Sequence, residues 1–192
     1  MKLRECQALL SRSLSVARIL VPDETSLGRT AASILMMAEA YKSDGKAFLD
    51  SGDPVNALAS CWYGFGWLHF GMAYGLLVTG PGKADCPFSG SCEILPETQG
   101  ERLREKTLRY QRLLDTARIS VRCAPDPSAP AHEFGVRTLF IVSIYACQGD
   151  VFLQAGLPED ALACFSYGHG WVDAGVRAGL FTITAERELF TV

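Results

Sequence analysis

The chain has 192 residues, 48% of them hydrophobic and 20% charged, with a formal net charge of -3. This composition excludes a disordered chain, and the absence of any Lys/Arg cluster excludes the electrostatic footprint that phosphate-backbone binding requires, so nucleic acid is not an expected partner. Seven cysteines at irregular spacing, four of them (Cys6, Cys61, Cys147 and Cys164) inside helical patterns, do not make a disulfide framework. With no signal-like opening, they point to a reducing cytoplasm.

In chain order, Leu3, Cys6, Leu10, Leu14 and Ala17 make one apolar stripe and predict a first helix. The loop "PDETS" follows, and then a second helix that ends at Gly52, a natural position just past a helix C-terminus. Pro54, two residues later, can open the next helix, which gives a tight αα-hairpin. The third helix lies within "ALASCWYGFGWLHFGMAYGLLVTG", Ala57 to Gly80, uncharged and long enough to be a transmembrane candidate. A helix that is apolar all round is more simply a buried one, and no membrane is expected. The turn-rich stretch Val78 to Gly100 separates this half from the next. Leu103, Thr107, Leu114, Ala117 and Val121 then predict a fourth helix. After "CAPDPSAPAH", a fifth ends at Gly156, and a sixth opens at Pro158.

The two halves are copies. Tyr41 to Leu76 lies over Tyr145 to Leu180 without a gap, matching Gly52/Gly156, Pro54/Pro158, Tyr63-Gly64/Tyr167-Gly168, Gly66-Trp67/Gly170-Trp171, Gly71/Gly175 and Gly75/Gly179. Ser11 to Val21 lies over Gln111 to Val121. The expected fold is all-α: two fused three-helix units in a pseudo-twofold six-helix bundle. The expected boundaries are residues 1–80 for the first unit, 81–100 for a linker, 101–184 for the second unit and 185–192 for a tail.

The sixth helix carries Tyr167, His169, Gly170, Trp171, Asp173, Ala174, Gly175, Arg177, Gly179, Leu180 and Phe181. That series resembles the archaeal family known as domain of unknown function number 357, with its Gly-Asp hairpin turn and Tyr-Ala-His-Gly-Trp-Leu-Asp-Ala-Gly-x-Arg-x-Gly-Leu-Phe helix. The first copy keeps Gly52-Asp53, Tyr63, Gly66, Trp67, Gly71, Gly75 and Leu76, but has Phe65, His69 and Ala73 in place of the His, Asp and Arg. The resemblance implies an all-helical fold and brings no activity with it.

Two sets of residues stand out as candidates. Gly168, Gly175 and Gly179, like Gly64, Gly71 and Gly75, fall on a stripe about 40° wide, the pattern of a groove into which a neighbouring helix packs. His169, Asp173 and Arg177 lie about 150° from that groove. They read either as a solvated face with an Asp173–Arg177 pair, as a contact to another subunit or partner, or as a ligand site with Tyr167. Ser166 is a turn away, and no nucleophile accompanies the histidine more closely.

The same face of the first copy, with Trp62, Phe65, His69, Met72 and Leu76, is apolar and needs cover. The polar second-copy face makes a poor cover for it. The third helix is therefore expected to be the most buried element, with His169, Asp173 and Arg177 peripheral and exposed. Cys86 and Cys92 with Cys123 and His132 could suggest zinc, but a helix of about twenty residues holds its ends about 30 Å apart, so no metal and no cofactor are expected.

Two functional readings remain. One is a non-enzymatic interaction or scaffold module that self-associates or binds an unknown protein. The other is a small-molecule-binding protein or enzyme using His169, Asp173 and Arg177 in a cleft between the units.

Overall fold

The computed structural model describes residues 3–80 and 95–191. Among these described residues, six α-helices follow the repeat: α1 (Leu3–Ser15), α2 (Ser26–Asp50), α3 (Pro54–Ala73), α4 (Gly100–Ile119), α5 (Pro130–Gln154) and α6 (Pro158–Arg177). Local chemistry sets their ends. The Thr25 hydroxyl accepts the Gly28 N–H at 2.9 Å and caps α2, and the Asp53 carboxylate accepts the Asn56 N–H at 3.1 Å and caps α3. Gly52 and Gly156 turn the two hairpins with φ of 77° and 74°, a region that side-chain-bearing residues rarely enter.

Two short antiparallel ladders are a finding that periodicity did not predict. β1 (Arg18–Ile19) pairs with β2 (Leu77–Val78), and β3 (Val121–Cys123) pairs with β4 (Phe181–Ile183). Each ties the chain leaving the first helix of a unit to the chain leaving its third. Segments of two or three residues are too short to carry a period-two signal.

α3 and α6 cross at the centre of the molecule, with α2 and α5 on their flanks and α1 and α4 closing the two units. Trp62, Phe65, Trp67, Leu68 and Phe70 of α3 are fully buried, and so are Leu162, Phe165 and Val172 of α6. The Ala57 to Gly80 stretch thus contributes the core helix of a bundle, and its lack of charge follows from burial on every side. Among the described residues, α5 is the helix long and apolar enough to cross a membrane by length and composition. Of the expected linker, residues 81–94, with Cys86 and Cys92, lie outside the described residues. Leu95 is buried, Glu97–Gln99 forms a 3-10 turn, and α4 already begins at Gly100.

Candidate functional site

The crossing of α3 and α6 is built on two glycines that match in the repeat. A Cβ added at Gly66 would lie 2.5 Å from the Tyr167 carbonyl oxygen and 3.0 Å from the Gly170 Cα. One at Gly170 would lie 2.6 Å from the Tyr63 carbonyl oxygen and 3.1 Å from the Gly66 Cα. The reciprocity is the mark of a pseudo-twofold axis passing between the two helices.

Gly64, Gly71, Gly168 and Gly175 face the other way, into their own units. Added Cβ atoms there would meet Leu10 and Tyr41, Ile34 and Leu77, Leu114 and Tyr145, and Phe181, respectively. Gly75 and Gly179 do not belong to this groove, contrary to the wheel reading. They follow α3 and α6 with φ of 75° and 72° and have nothing within 4 Å of an added Cβ. Their alignment with the stripe is a consequence of helix length, and their purpose is to end the helix.

Around the glycine crossing, the side chains of α3 and α6 form the seam between the units. The Tyr63 hydroxyl donates to Asp173 Oδ2 at 2.7 Å. At the pseudo-equivalent place, the Tyr167 hydroxyl meets His69 Nδ1 at 2.9 Å. These are the same contact in the two halves, since Tyr63 matches Tyr167 and His69 matches Asp173. Asp173 Oδ2 also accepts the Thr191 N–H at 3.3 Å and the Thr191 hydroxyl, so the chain beyond the second unit folds back over the seam, with Phe190 buried beside it. The His169 ring lies against Tyr63, tilted by 41° with centroids 5.4 Å apart, and the Tyr41 ring centroid is 4.4 Å from that of Tyr63.

The expectation of a peripheral, exposed polar face is therefore overturned for two of its three residues. His169 is 4% exposed and Asp173 0%, whereas Arg177 is exposed at the end of α6. The physical reason is the twofold crossing. It lays the face of α3 that needed cover against the same face of α6, so both are buried together, and the Tyr63 and Tyr167 hydroxyls supply the partners that make Asp173 and His69 tolerable there. The expected Asp173–Arg177 pair is absent from the ion pairs among the described residues, because the carboxylate points to Tyr63 and Thr191. Arg177 lies instead in a shallow hollow with Val176, Phe181, Thr182, Ile183 and Arg187.

Burial dominates the electrostatics. It raises the Tyr63 hydroxyl well above its usual pKa and Tyr41 to about 12, and the Asp173 charge adds to both shifts. It pulls His69 down to about 4. His169 is lowered too, because the loss of hydration outweighs the favourable Asp173 charge and the nearby Leu189 main chain. Both His169 ring nitrogens, Asp173 Oδ1 and Ser166 Oγ are buried without a partner at hydrogen-bond geometry. A neutral imidazole with no proton donor aligned on it and no activated hydroxyl beside it can pack and polarise, but it is not arranged for acyl transfer. Among the described residues, no three His, Cys, Asp or Glu side chains gather as metal ligands. Cys123 is half-buried and His132 Nδ1 contacts the Pro125 carbonyl at 3.0 Å.

A family model described as a protein of unknown function, DUF357, matches the chain twice, over residues 7–77 and 109–181. The chain belongs to the DUF357 family. No curated protein and no solved structure matches it. Each DUF357 match runs from the first helix of a unit to the strand after its third, so the Gly66–Gly170 crossing and the Tyr63–Asp173 and Tyr167–His69 contacts all lie between two DUF357 copies. Tyr41, Tyr63, Gly66 and Gly170 were not singled out for the seam in the sequence. The signal for all four was present as matched positions of the repeat, whereas Thr191 and Phe190 carry none.

Proposed function

We propose that this protein is a non-enzymatic interaction module in which two DUF357 copies, fused through a buried seam, form one body that presents the outer face of α5 to a protein partner. The observation that carries this reading is a row of large apolar side chains left in water on α5: Val136 at 50%, Phe140 at 65%, Ile144 at 47% and Val151 at 57% exposure. Monomeric proteins seldom leave so contiguous an apolar row uncovered. The repeat supplies an internal control. The matching positions of α2 are Ala32, Met36, Ala40 and Ala47, so the fold does not itself require large apolar groups there.

The competing reading, ligand binding or catalysis in a cleft between the units, is favoured by the unpartnered His169 nitrogens and Asp173 Oδ1. It is weakened by the filling of that seam by Tyr63, Phe190 and Thr191, and by the distance in role between Arg177, in its surface hollow, and the other two residues. The test of the interaction reading is affinity capture from native lysate with the wild-type chain and with Phe140→Glu/Ile144→Glu. A specific protein retained by the first and lost by the second, at unchanged helical circular dichroism, is the expected result. Identical captures with both chains refute the role of α5.

A further inference from the structure

Resting on the reading of α5 as a docking face, we infer that its partner is a second copy of this chain, with the two α5 helices packed antiparallel about a twofold axis between Ser143 and Ile144. An isologous contact requires a surface that is complementary to itself, so that residue i meets residue j and j meets i. Along an antiparallel helix pair this demands a row whose spacing reads the same in both directions. The outer row of α5 has that property. The exposed Val136, Phe140, Ile144, Cys147 and Val151, with the half-buried Ser143 between them, are separated by steps of four, three, one, three and four residues.

At about 100° per residue, Phe140 and Cys147 sit about 10° to either side of the centre line, Val136 and Val151 about 30°, and Ser143 and Ile144 about 50°. The row covers about 22 Å of helix. Pairing about its midpoint brings Phe140 level with Cys147 of the second copy, a large side chain against a small one. Ile144 comes level with Ser143, again a large side chain against a small one, and Val136 with Val151, two of equal size at the ends. Large-against-small pairing at the centre lets the two helices interdigitate.

The charges agree with this pairing. Glu133, at the edge of the same face and exposed, comes level with the uncharged, exposed Gln154, so no two carboxylates meet. Arg137 is exposed and paired with Glu133 of its own helix at 2.9 Å. A face with one arginine and no lysine lacks the basic rim with which surface helices engage anionic lipid. The four large side chains expose about 400 Å² of apolar surface per chain, about half of the ~800 Å² per partner that a stable interface buries. Cys147, Gln154 and Glu133 along the same face are available for the remainder. The α2 face cannot form the same contact, because Ala32, Met36, Ala40 and Ala47 offer one large group where α5 offers four.

Sedimentation equilibrium of the full chain from 1 to 100 µM, on the order of a weak-to-moderate protein affinity, is expected to give twice the 20.9 kDa chain mass. Phe140→Glu and, separately, Cys147→Arg are expected to return it to the chain mass, a loss of at least tenfold in association, with unchanged helical circular dichroism. Both positions are exposed, so neither variant removes a core side chain. The register has its own test. Under oxidised glutathione, Phe140→Cys is expected to form a covalent dimer that Phe140→Cys/Cys147→Ser does not, and Met36→Cys on α2 is expected to form none. A wild-type chain that stays monomeric at 100 µM overturns the inference, as does a dimer that survives both charge substitutions or a covalent dimer that persists without Cys147. If the chain is monomeric but loses a captured protein, or its flotation with anionic vesicles, on Phe140→Glu, the second-copy inference falls while α5 remains a docking face. A monomer with no α5-dependent binding removes both.

Discussion

Replacing Gly66 by alanine adds one methyl group at the crossing of α3 and α6, and its cost follows from the geometry there. The new Cβ would lie 2.5 Å from the Tyr167 carbonyl oxygen and 3.0 Å from the Gly170 Cα, both main-chain atoms that no rotamer change can move. Restoring ordinary contact requires the helices to part by about 1 Å, an overpacking strain of about 1–3 kcal/mol. The same movement stretches the Tyr63–Asp173 and Tyr167–His69 hydrogen bonds, now 2.7 and 2.9 Å, to the edge of useful range. Each is worth about 1 kcal/mol net, and the helix preference of alanine over glycine returns about 0.5–1 kcal/mol. A net loss of about 2–4 kcal/mol follows, or a fall in Tm of about 5–12 °C for a chain of this size. Urea unfolding followed by circular dichroism measures it. Gly75→Ala is the comparison, because its φ of 75° and empty surroundings confine the cost to the left-handed backbone, about 1–2 kcal/mol. Gly170→Ala should match Gly66→Ala, and the double variant should cost less than the sum, since the first methyl already parts the helices. If Gly66→Ala is as stable as the wild type, the seam is not a close backbone crossing.

Tyr63→Phe removes a donor from the buried Asp173 carboxylate and should destabilise by about 1–3 kcal/mol in the same assay, with Asp173→Asn/Tyr63→Phe recovering part of the loss. Acid should weaken the fold through His69. Its folded pKa, about 4, lies below the ordinary 6.5, so the unfolded chain binds the extra proton; this contribution is complete at neutral pH and is lost as pH falls from about 6.5 to about 4. Unfolding free energies at pH 7 and pH 4.5 should differ by less in His69→Gln than in the wild type, and an equal difference would remove His69 as the cause. Gly71→Leu and Gly175→Leu, which drive side chains into Ile34 and Leu77 or into Phe181, should each cost more than about 1 kcal/mol, and unchanged thermal midpoints would argue against both contacts.

The helices and their repeat were legible in the sequence because their determinants are local. Apolar periodicity, the Gly52 and Gly156 turns, and the prolines after them act within a few residues. The match of Gly66-Trp67 with Gly170-Trp171 also marked the crossing, although the aligned stripe of Gly64, Gly71 and Gly75 drew attention to the opposite side of the helix. What was not legible depends on pairing across the chain. The polarity of His169 and Asp173 predicts exposure only while the Tyr63 hydroxyl, 110 residues away, is left out of account. The ladders of β1 with β2 and β3 with β4 are held by main-chain groups that every sequence possesses. Thr191 reaches Asp173 through a segment with no periodic pattern.

His69 and Asp173 occupy equivalent places on two sides of one pseudo-twofold axis, yet one is an imidazole and the other a carboxylate. Two identical chains meeting at such an axis could not arrive at that state, because any codon change would install the new side chain on both sides at once. Two facing carboxylates or two facing imidazoles would have to be accommodated together. Joining the copies end to end gives each side its own codon. The seam then behaves as a heteromeric interface encoded by a single gene, in which one half can keep an aspartate under the returning chain at Thr191 while the other drifts or is replaced independently.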